Sequence, residues 1–234
     1  MKRLKEILEK IEAPTILDIG TGSGQFVSMI TGVCGHYKKI VGIDTLDRAI
    51  DAANKNNSND RITFKVQDVM TMDEKFDIVC LSNSLHHFEN PKAIIDKMID
   101  LTYSGGKIII QEMYQDHQTD AQMSHVKLHH FWAEVDRLTG NIHNDTFFKN
   151  DIIGHLSHDK LKLVDVWDVD FGEKYVYTSE DYDFLKSSIY NSLKKIESLN
   201  EYATLKKTGE NLDKRLDEVG FDSATELMIV SEKC

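Results

Sequence analysis

The run Ile16-Leu17-Asp18-Ile19-Gly20-Thr21-Gly22-Ser23-Gly24-Gln25-Phe26 sets a carboxylate two residues ahead of three glycines at alternate positions. Glycine there lets the backbone take dihedrals that other residues avoid, and lets a ligand approach with no Cβ in the way. The spacing is not the dinucleotide fingerprint G-x-G-x-x-G, and no Gly-Lys-Ser/Thr follows to make a P-loop. Asp18 would be out of place beside a pyrophosphate; it is well placed to meet an ammonium, directly or through water. Two further acids follow short β-branched runs: Asp44 closes Ile40-Val41-Gly42-Ile43, and Asp68 comes just after Phe64-Lys65-Val66-Gln67. An acid at the end of a second strand is the expected partner of both ribose hydroxyls, and Asp68 suits an adenine amino group. Three carboxylates without a matching phosphate-binding Lys or Arg fit a cationic, phosphate-free nucleoside. S-adenosylmethionine, with a sulfonium and an ammonium, is such a ligand. The bland alternative is a tight strand–helix turn that binds nothing.

Histidine forms the second chemical signal, since nine of the ten lie between positions 86 and 158. His117, His125, His129, His130 and His143 share one segment. At i and i+4, His125 and His129 fall on one helix face, near Gln122, Trp132 and Asp136. That pair can chelate a divalent metal, with a third ligand from His130, His143, Glu112 or Asp116. It can equally hold an imidazole as general base beside a hydroxyl, thiol or amine. The third reading is a partly buried helix whose histidines only form hydrogen bonds.

Elements that could position these groups alternate along the first half. Thr15–Ile19, Lys39–Asp44, Arg61–Val66, Phe76–Ser82 and Gly106–Glu112 read as strands, while Leu46–Asn56 and Pro91–Tyr103 carry helical periodicity. Strict alternation predicts a parallel sheet covered on both faces, and Ser104-Gly105-Gly106 reads as the turn into the fifth strand. In the second half, a helix near Ala121–Leu138, strands at Leu161–Val169 and Glu226–Glu232, and helical pattern over Ser179–Val219 are expected. The polar turn and aromatics of Asn141–Phe148 would close the pocket, or Asp145 or Thr146 would simply cap the next helix. We read residues 1–234 as one domain with a His-rich lid insertion at 114–158 and a helical insertion at 179–219. The latter would pack on the domain or on a second copy, as a homodimer.

Bulk properties agree. With 234 residues, 41% of them hydrophobic and 29% charged, the chain is long enough for a core and too apolar for disorder. A net charge of −11 argues against nucleic acid, whose backbone calls for a basic surface. Lys206-Lys207 with Lys214 and Arg215 is the nearest thing to a basic patch, and acids interrupt it. Cys34, Cys80 and Cys234 lack zinc-ribbon or redox spacing. Met1–Ile11 lacks a signal peptide's apolar run, and no window approaches the ~20 apolar residues of a membrane span. A cytoplasmic location away from membranes is the expectation.

Residues 14–113 resemble class I S-adenosylmethionine-dependent methyltransferases, above all the branch containing ubiquinone and menaquinone C-methyltransferases. The glycine turn matches that family's D-x-G-x-G-x-G in full, and Asp44 and Asp68 stand at its second and third acidic motifs. Phe76-Asp77-Ile78-Val79-Cys80-Leu81-Ser82-Asn83-Ser84-Leu85-His86-His87-Phe88 resembles the fourth motif with its Leu-His-His. The resemblance implies a Rossmann-like α/β fold: a seven-stranded, mostly parallel sheet with an antiparallel last strand, helices on both faces, and lid insertions after the fifth and sixth strands. It implies S-adenosylmethionine with Gly20, Gly22 and Ser23 at the methionine end, flanked by Thr21 and Gly24. Asp44 with Thr45 would hold the ribose, Asp68 and Val69 the adenine, and Ser82 with Asn83 the region near the sulfonium. The implied activity is methyl transfer to a small-molecule acceptor; on the residues themselves, His87, His125 and His129 are the catalytic candidates, and His86 positions its loop. A metal-dependent enzyme and a non-catalytic sensor or partner subunit are the rival readings. So dense a histidine cluster departs from the family pattern, so the relatives' substrates are not carried over.

Overall fold

The computed structural model describes residues 1–170 and 176–234. After a short helix, α1 (Lys2–Leu8), strands β1 (Thr15–Ile19), β2 (Lys39–Asp44), β3 (Ile62–Val66) and β4 (Phe76–Ser82) are joined by α2 (Gln25–Val33) and α3 (Asp47–Asn56). Helix α4 (Pro91–Leu101) leads into β5 (Thr102–Met113). The second half contributes α5 (Asp120–Leu138), α6 (Lys149–His155), β6 (Leu161–Val169), α7 (Ser179–Lys194), α8 (Tyr202–Glu218) and β7 (Glu226–Lys233). The seven strands lie in the order β3-β2-β1-β4-β5-β7-β6. The first five run parallel, and β7 is antiparallel to both β5 and β6.

The near-continuous apolar character of the central strands follows from burial on both faces. Alternate residues divide between two cores. Leu17, Ile19, Val41, Ile43, Val79 and Leu81 meet Ile95 and Met98 of α4 and Ile152 of α6. Ile16, Ile40, Ile78 and Cys80 meet α1, α2 and α3 through Leu4, Val27 and Ile50. A third cluster lies outside the sheet: Leu128, Phe131 and Val135 of α5 pack on Leu185, Ile189 and Leu193 of α7 and on Leu212 and Leu216 of α8. The leucines and Ile189 along the α7–α8 pair are therefore covered within the chain, while Phe184 of α7 stays exposed.

Two local expectations change. Tyr103 does not extend α4, and Ser104-Gly105-Gly106 is not a turn ahead of the strand. Pairing already begins at Thr102, opposite Phe76, and resumes with Lys107 opposite Ile78, so the residues between form a bulge with Gly105 at φ +77°. Thr102, fully buried, stands where helix gives way to strand and donates its hydroxyl to Met98 O at 2.6 Å. Neither Asp145 nor Thr146 caps α6. Its Lys149 N–H donates instead to Asp116 Oδ1 at 2.8 Å, while Asp145 pairs with Arg137 at 3.0 Å.

Candidate functional site

The chain passes from one side of β1 to the other between β3 and β4, and in such sheets the crevice beyond the strand ends at the reversal is where ligands bind. The glycine turn lies there. Gly20 and Gly22 take φ of +65° and +53°, which side-chain-bearing residues seldom adopt. Thr21 N–H donates to Ile43 O at 2.9 Å, fastening the turn to β2. Gly22 N–H donates to Asp44 Oδ2 at 3.0 Å, and Leu46 N–H donates to Asp44 Oδ1 at 3.0 Å. Asp44 is thereby aimed by backbone on both oxygens and keeps lone pairs for a further donor. Ser84 Oγ sits 3.1 Å from Gly20 O, closing the loop after β4 onto the turn. A Cβ at Gly20 would stand 2.5 Å from that same Oγ, whereas one at Gly22 would meet no described atom within 4 Å. One glycine thus permits loop closure, and the other leaves open space.

Asp18 is the anomaly of this region. It is only 2% exposed, yet among the described residues neither carboxylate oxygen has a hydrogen-bond partner; the neighbouring Thr21 Oγ1 has none either. Burial pushes its carboxyl up to about 7, the nearby Thr21 hydroxyl holding it down somewhat, although short of hydrogen-bond geometry, and the charge of Asp44 raising it further. An unpaired buried carboxylate is costly, and a bound cation would offset that cost.

The remaining expected residues fall into place unevenly. Asp68 is exposed and accepts Met70 N–H at 2.9 Å, capping the short turn Val69–Thr71, while Val69 itself is buried. Ser23 and Ser82 are half-buried, Thr45 is exposed and Gly24 begins α2 at φ +80°. Asn83 takes φ +45°, and its side chain is engaged by the neighbouring strands. Its Nδ2 donates to Glu226 Oε1 at 2.7 Å and its Oδ1 accepts Met113 N–H at 2.9 Å. Its observed bonds are to strands rather than to a ligand space. Ser84, which joins the two halves of the crevice, was absent from the sequence-based candidates. A small hydroxyl residue two positions past a strand end, opposite a glycine turn, was the available signal.

Beyond Ser84 the same loop carries the histidines. His86 is 2% exposed, and its Nδ1 lies 2.5 Å from Glu112 Oε1. Glu112 is fully buried and also accepts Ser84 N–H at 3.2 Å and Leu85 N–H at 3.0 Å, fixing the loop to the end of β5. Rings of His87, His129 and His143 surround His86 with centroids 4.4, 4.6 and 5.4 Å away. His143 Nδ1 is 2.8 Å from Asp136 Oδ2, and its Nε2 is 3.4 Å from His129 Nε2. His87 Nδ1 is 3.4 Å from Ile142 O. Desolvation, followed by the neighbouring imidazoles, holds His129 far below the usual histidine range and lowers His143 and His87, the last to about 4. The His87 and His129 rings are neutral near pH 7.

The expected His125–His129 pair divides. His125 Nδ1 accepts Ala224 N–H at 3.0 Å, its ring lies against Phe221 at 5.2 Å, and burial pushes it down to about 4. One helical turn along α5 changes the partner from the segment ahead of β7 to the loop after β4, so sharing a helix face did not mean sharing a site. Of the other suggested ligands, His130 bonds Thr146, Glu112 anchors the His86 loop, Asp116 caps α6, and only His143 joins His129. A surface groove between α5 and α8, lined by Lys127, Arg137, Lys214 and Arg215, contains none of the glycine-turn residues.

Residues 12–180 match the family model described as a methyltransferase domain. The chain is similar to the ribosomal protein L11 methyltransferase of Aquifex aeolicus, 31% identical over 91 residues, or 38% of this chain and 36% of that protein. It is similar to the demethylmenaquinone methyltransferase of Porphyromonas gingivalis, 27% identical over 114 residues, 46% of each chain. The matches span less than half the length of these relatives. A solved S-adenosylmethionine-dependent methyltransferase from Thiobacillus denitrificans, bound to S-adenosylhomocysteine, superposes with a TM-score of 0.59 at 13% identity, over 100% of this chain and 90% of that one.

Proposed function

We propose that this chain, which belongs to the methyltransferase-domain family matched over residues 12–180, transfers the methyl group of S-adenosylmethionine to a small-molecule acceptor. The observation that carries the reading is Asp18, buried and unpartnered among the described residues beneath a glycine turn. These residues fit the ligand: Asp18 meets the ammonium, with Ser23 beside the methionine end. Backbone-aimed Asp44 takes the ribose hydroxyls with Thr45 adjacent, and Asp68 with Val69 borders the adenine. When bound, S-adenosylmethionine supplies an electrophilic methyl on a leaving group that is already activated.

The protein's tasks are then to align the acceptor, exclude water and handle a proton. The loop after β4, held to Gly20 by Ser84, brings Ser82, His86 and His87 to the crevice, and α5 covers them as a lid. His87 Nδ1 faces Ile142 O, which leaves Nε2 as a bare acceptor. A neutral imidazole pushed down to about 4 is a weak base, so His87 accepts a hydrogen bond from the acceptor and orients it rather than deprotonating it ahead of transfer. His143 packs beside it at 4.2 Å between ring centroids, and His125 holds the lid to the segment ahead of β7.

A small acceptor is favoured over a ribosomal one by the net charge of −11, which suits an RNA-rich target poorly. Among the described residues no helix is long and apolar enough to cross a membrane, and three free cysteines suit a reducing cytoplasm. The test is S-adenosylhomocysteine formation with fractionated metabolite pools, with mass spectrometry reading a methylated product. Turnover only with a protein or RNA fraction would overturn the small-molecule reading, and ligand binding without turnover in any fraction would make the chain a sensor.

A further inference from the structure

Three imidazoles converge where protein hydrogen bonds alone do not account for them. His86 comes from the loop after β4, His129 from the middle of α5 and His143 from the connection to α6. One ring nitrogen from each lies within 4.8 Å of the other two. Two of the rings are oriented by carboxylates through Nδ1, His86 by Glu112 at 2.5 Å and His143 by Asp136 at 2.8 Å. A carboxylate partner keeps the proton on Nδ1, so each Nε2 presents a bare lone pair. This is the arrangement that outer-shell carboxylates impose on metal-binding histidines.

The spacing agrees. His143 Nε2 and His129 Nε2 are 3.4 Å apart, and nitrogens about 2.0–2.1 Å from a tetrahedral zinc ion stand about 3.3–3.4 Å from one another. His129 has no carboxylate of its own, and its buried Nδ1 has no partner among the described residues. Glu112 and Asp136 also supply two negative charges, matching a divalent ion. An all-imidazole donor set suits zinc and its first-row neighbours, whereas magnesium and calcium prefer oxygen.

We propose that His86, His129 and His143 bind one divalent cation of the zinc class, leaving a fourth position for water or an exogenous ligand. Glu112 and Asp136 act as positioning residues. The ion ties the helical layer to the end of the sheet, and its binding is independent of the methyl-transfer reading. The ligand set also differs from the His125–His129 pair that helical spacing suggested.

The test uses the full chain, stripped with a chelator and titrated with Co²⁺ and then Zn²⁺. One equivalent of Co²⁺ should give the visible absorption of a four-coordinate site, and Zn²⁺ should displace it. His129→Ala and His143→Ala should lose the signal, and His125→Ala and His117→Ala should keep it. Asp136→Asn should weaken affinity by about 10–100-fold. Circular dichroism checks that each variant folds. Should the ligand variants not fold, nitrogen-detected histidine NMR on the wild type decides. One equivalent of Zn²⁺ must shift ring nitrogens of His86, His129 and His143 and spare those of His125. No stoichiometric binding to the folded wild type, unshifted rings, or full binding by His129→Ala would overturn the proposal and leave a hydrogen-bonded imidazole pair.

Discussion

The glycine turn draws its ligand-facing groups from backbone and from acids at the ends of neighbouring strands, whereas the histidine assembly gathers side chains from three separated segments. In the first region, buried polarity is left open: Asp18 has neither oxygen satisfied among the described residues. In the second it is largely closed, with His86 on Glu112 and His143 on Asp136. An unsatisfied carboxylate marks a place for a positively charged ligand, while oriented imidazoles mark a prearranged set of acceptors. The crevice thus opposes a side that requires a cation to one that receives a donor or a metal, and Ser84 stands between them.

The largest effect should come from removing the open group. Asp18→Ala is expected to weaken S-adenosylmethionine binding by about 100-fold or more, since the ligand's ammonium would then be buried without its partner. Calorimetric affinity equal to wild type would erase the distinction between the two regions. Next comes Gly20→Ala, which places a Cβ 2.5 Å from Ser84 Oγ at a φ of +65°. Strain and overpacking together should cost about 2–4 kcal/mol, read by urea unfolding. An unchanged midpoint would mean that the loop does not close on the turn.

Acidity gives a third, smaller effect. Asp18 titrates at about 7 in the ligand-free protein, so protonation competes with the ligand's ammonium. Affinity should fall by about tenfold per pH unit below 7, and the dependence should vanish in Asp18→Asn. The stability sign is opposite. Because the folded value exceeds the unfolded one, this group favours folding at low pH and withdraws that contribution as pH rises through about 7. Ligand-free Asp18→Asn should therefore be more stable than wild type at pH 8, the gap narrowing toward pH 4; denaturant curves at both values check it. Smallest of all, His125→Ala should lose about 1 kcal/mol with its bond to Ala224 N–H and leave cofactor affinity untouched. A large loss of affinity would place His125 in the site after all.

The same contrast explains what the sequence disclosed. Asp18, Gly20, Gly22, Asp44 and Asp68 were legible because strand, turn and helix are consecutive, so a short motif determines where each group stands. The seven-stranded, mostly parallel sheet with its antiparallel last strand followed from strict strand–helix alternation and the family pattern. Glu112 as an anchor, Ser84 as a bridge and the His86–His129–His143 convergence depend on contacts between distant segments, which no local spacing encodes. Helical spacing placed His125 beside His129 correctly along α5, but could not show that each turn of that helix meets a different neighbour. Likewise, Gly105 signalled irregular backbone, and only the pairing of Thr102 with the distant Phe76 shows it to be a bulge instead of a turn.

The most direct test of the account compares S-adenosylhomocysteine with 5′-methylthioadenosine, which lacks the amino-acid moiety, by calorimetry on wild type and Asp18→Asn. The orphaned carboxylate predicts a strong wild-type preference for S-adenosylhomocysteine that Asp18→Asn largely abolishes. Equal affinity of wild type for the two ligands, or a preference that survives the substitution, would contradict it.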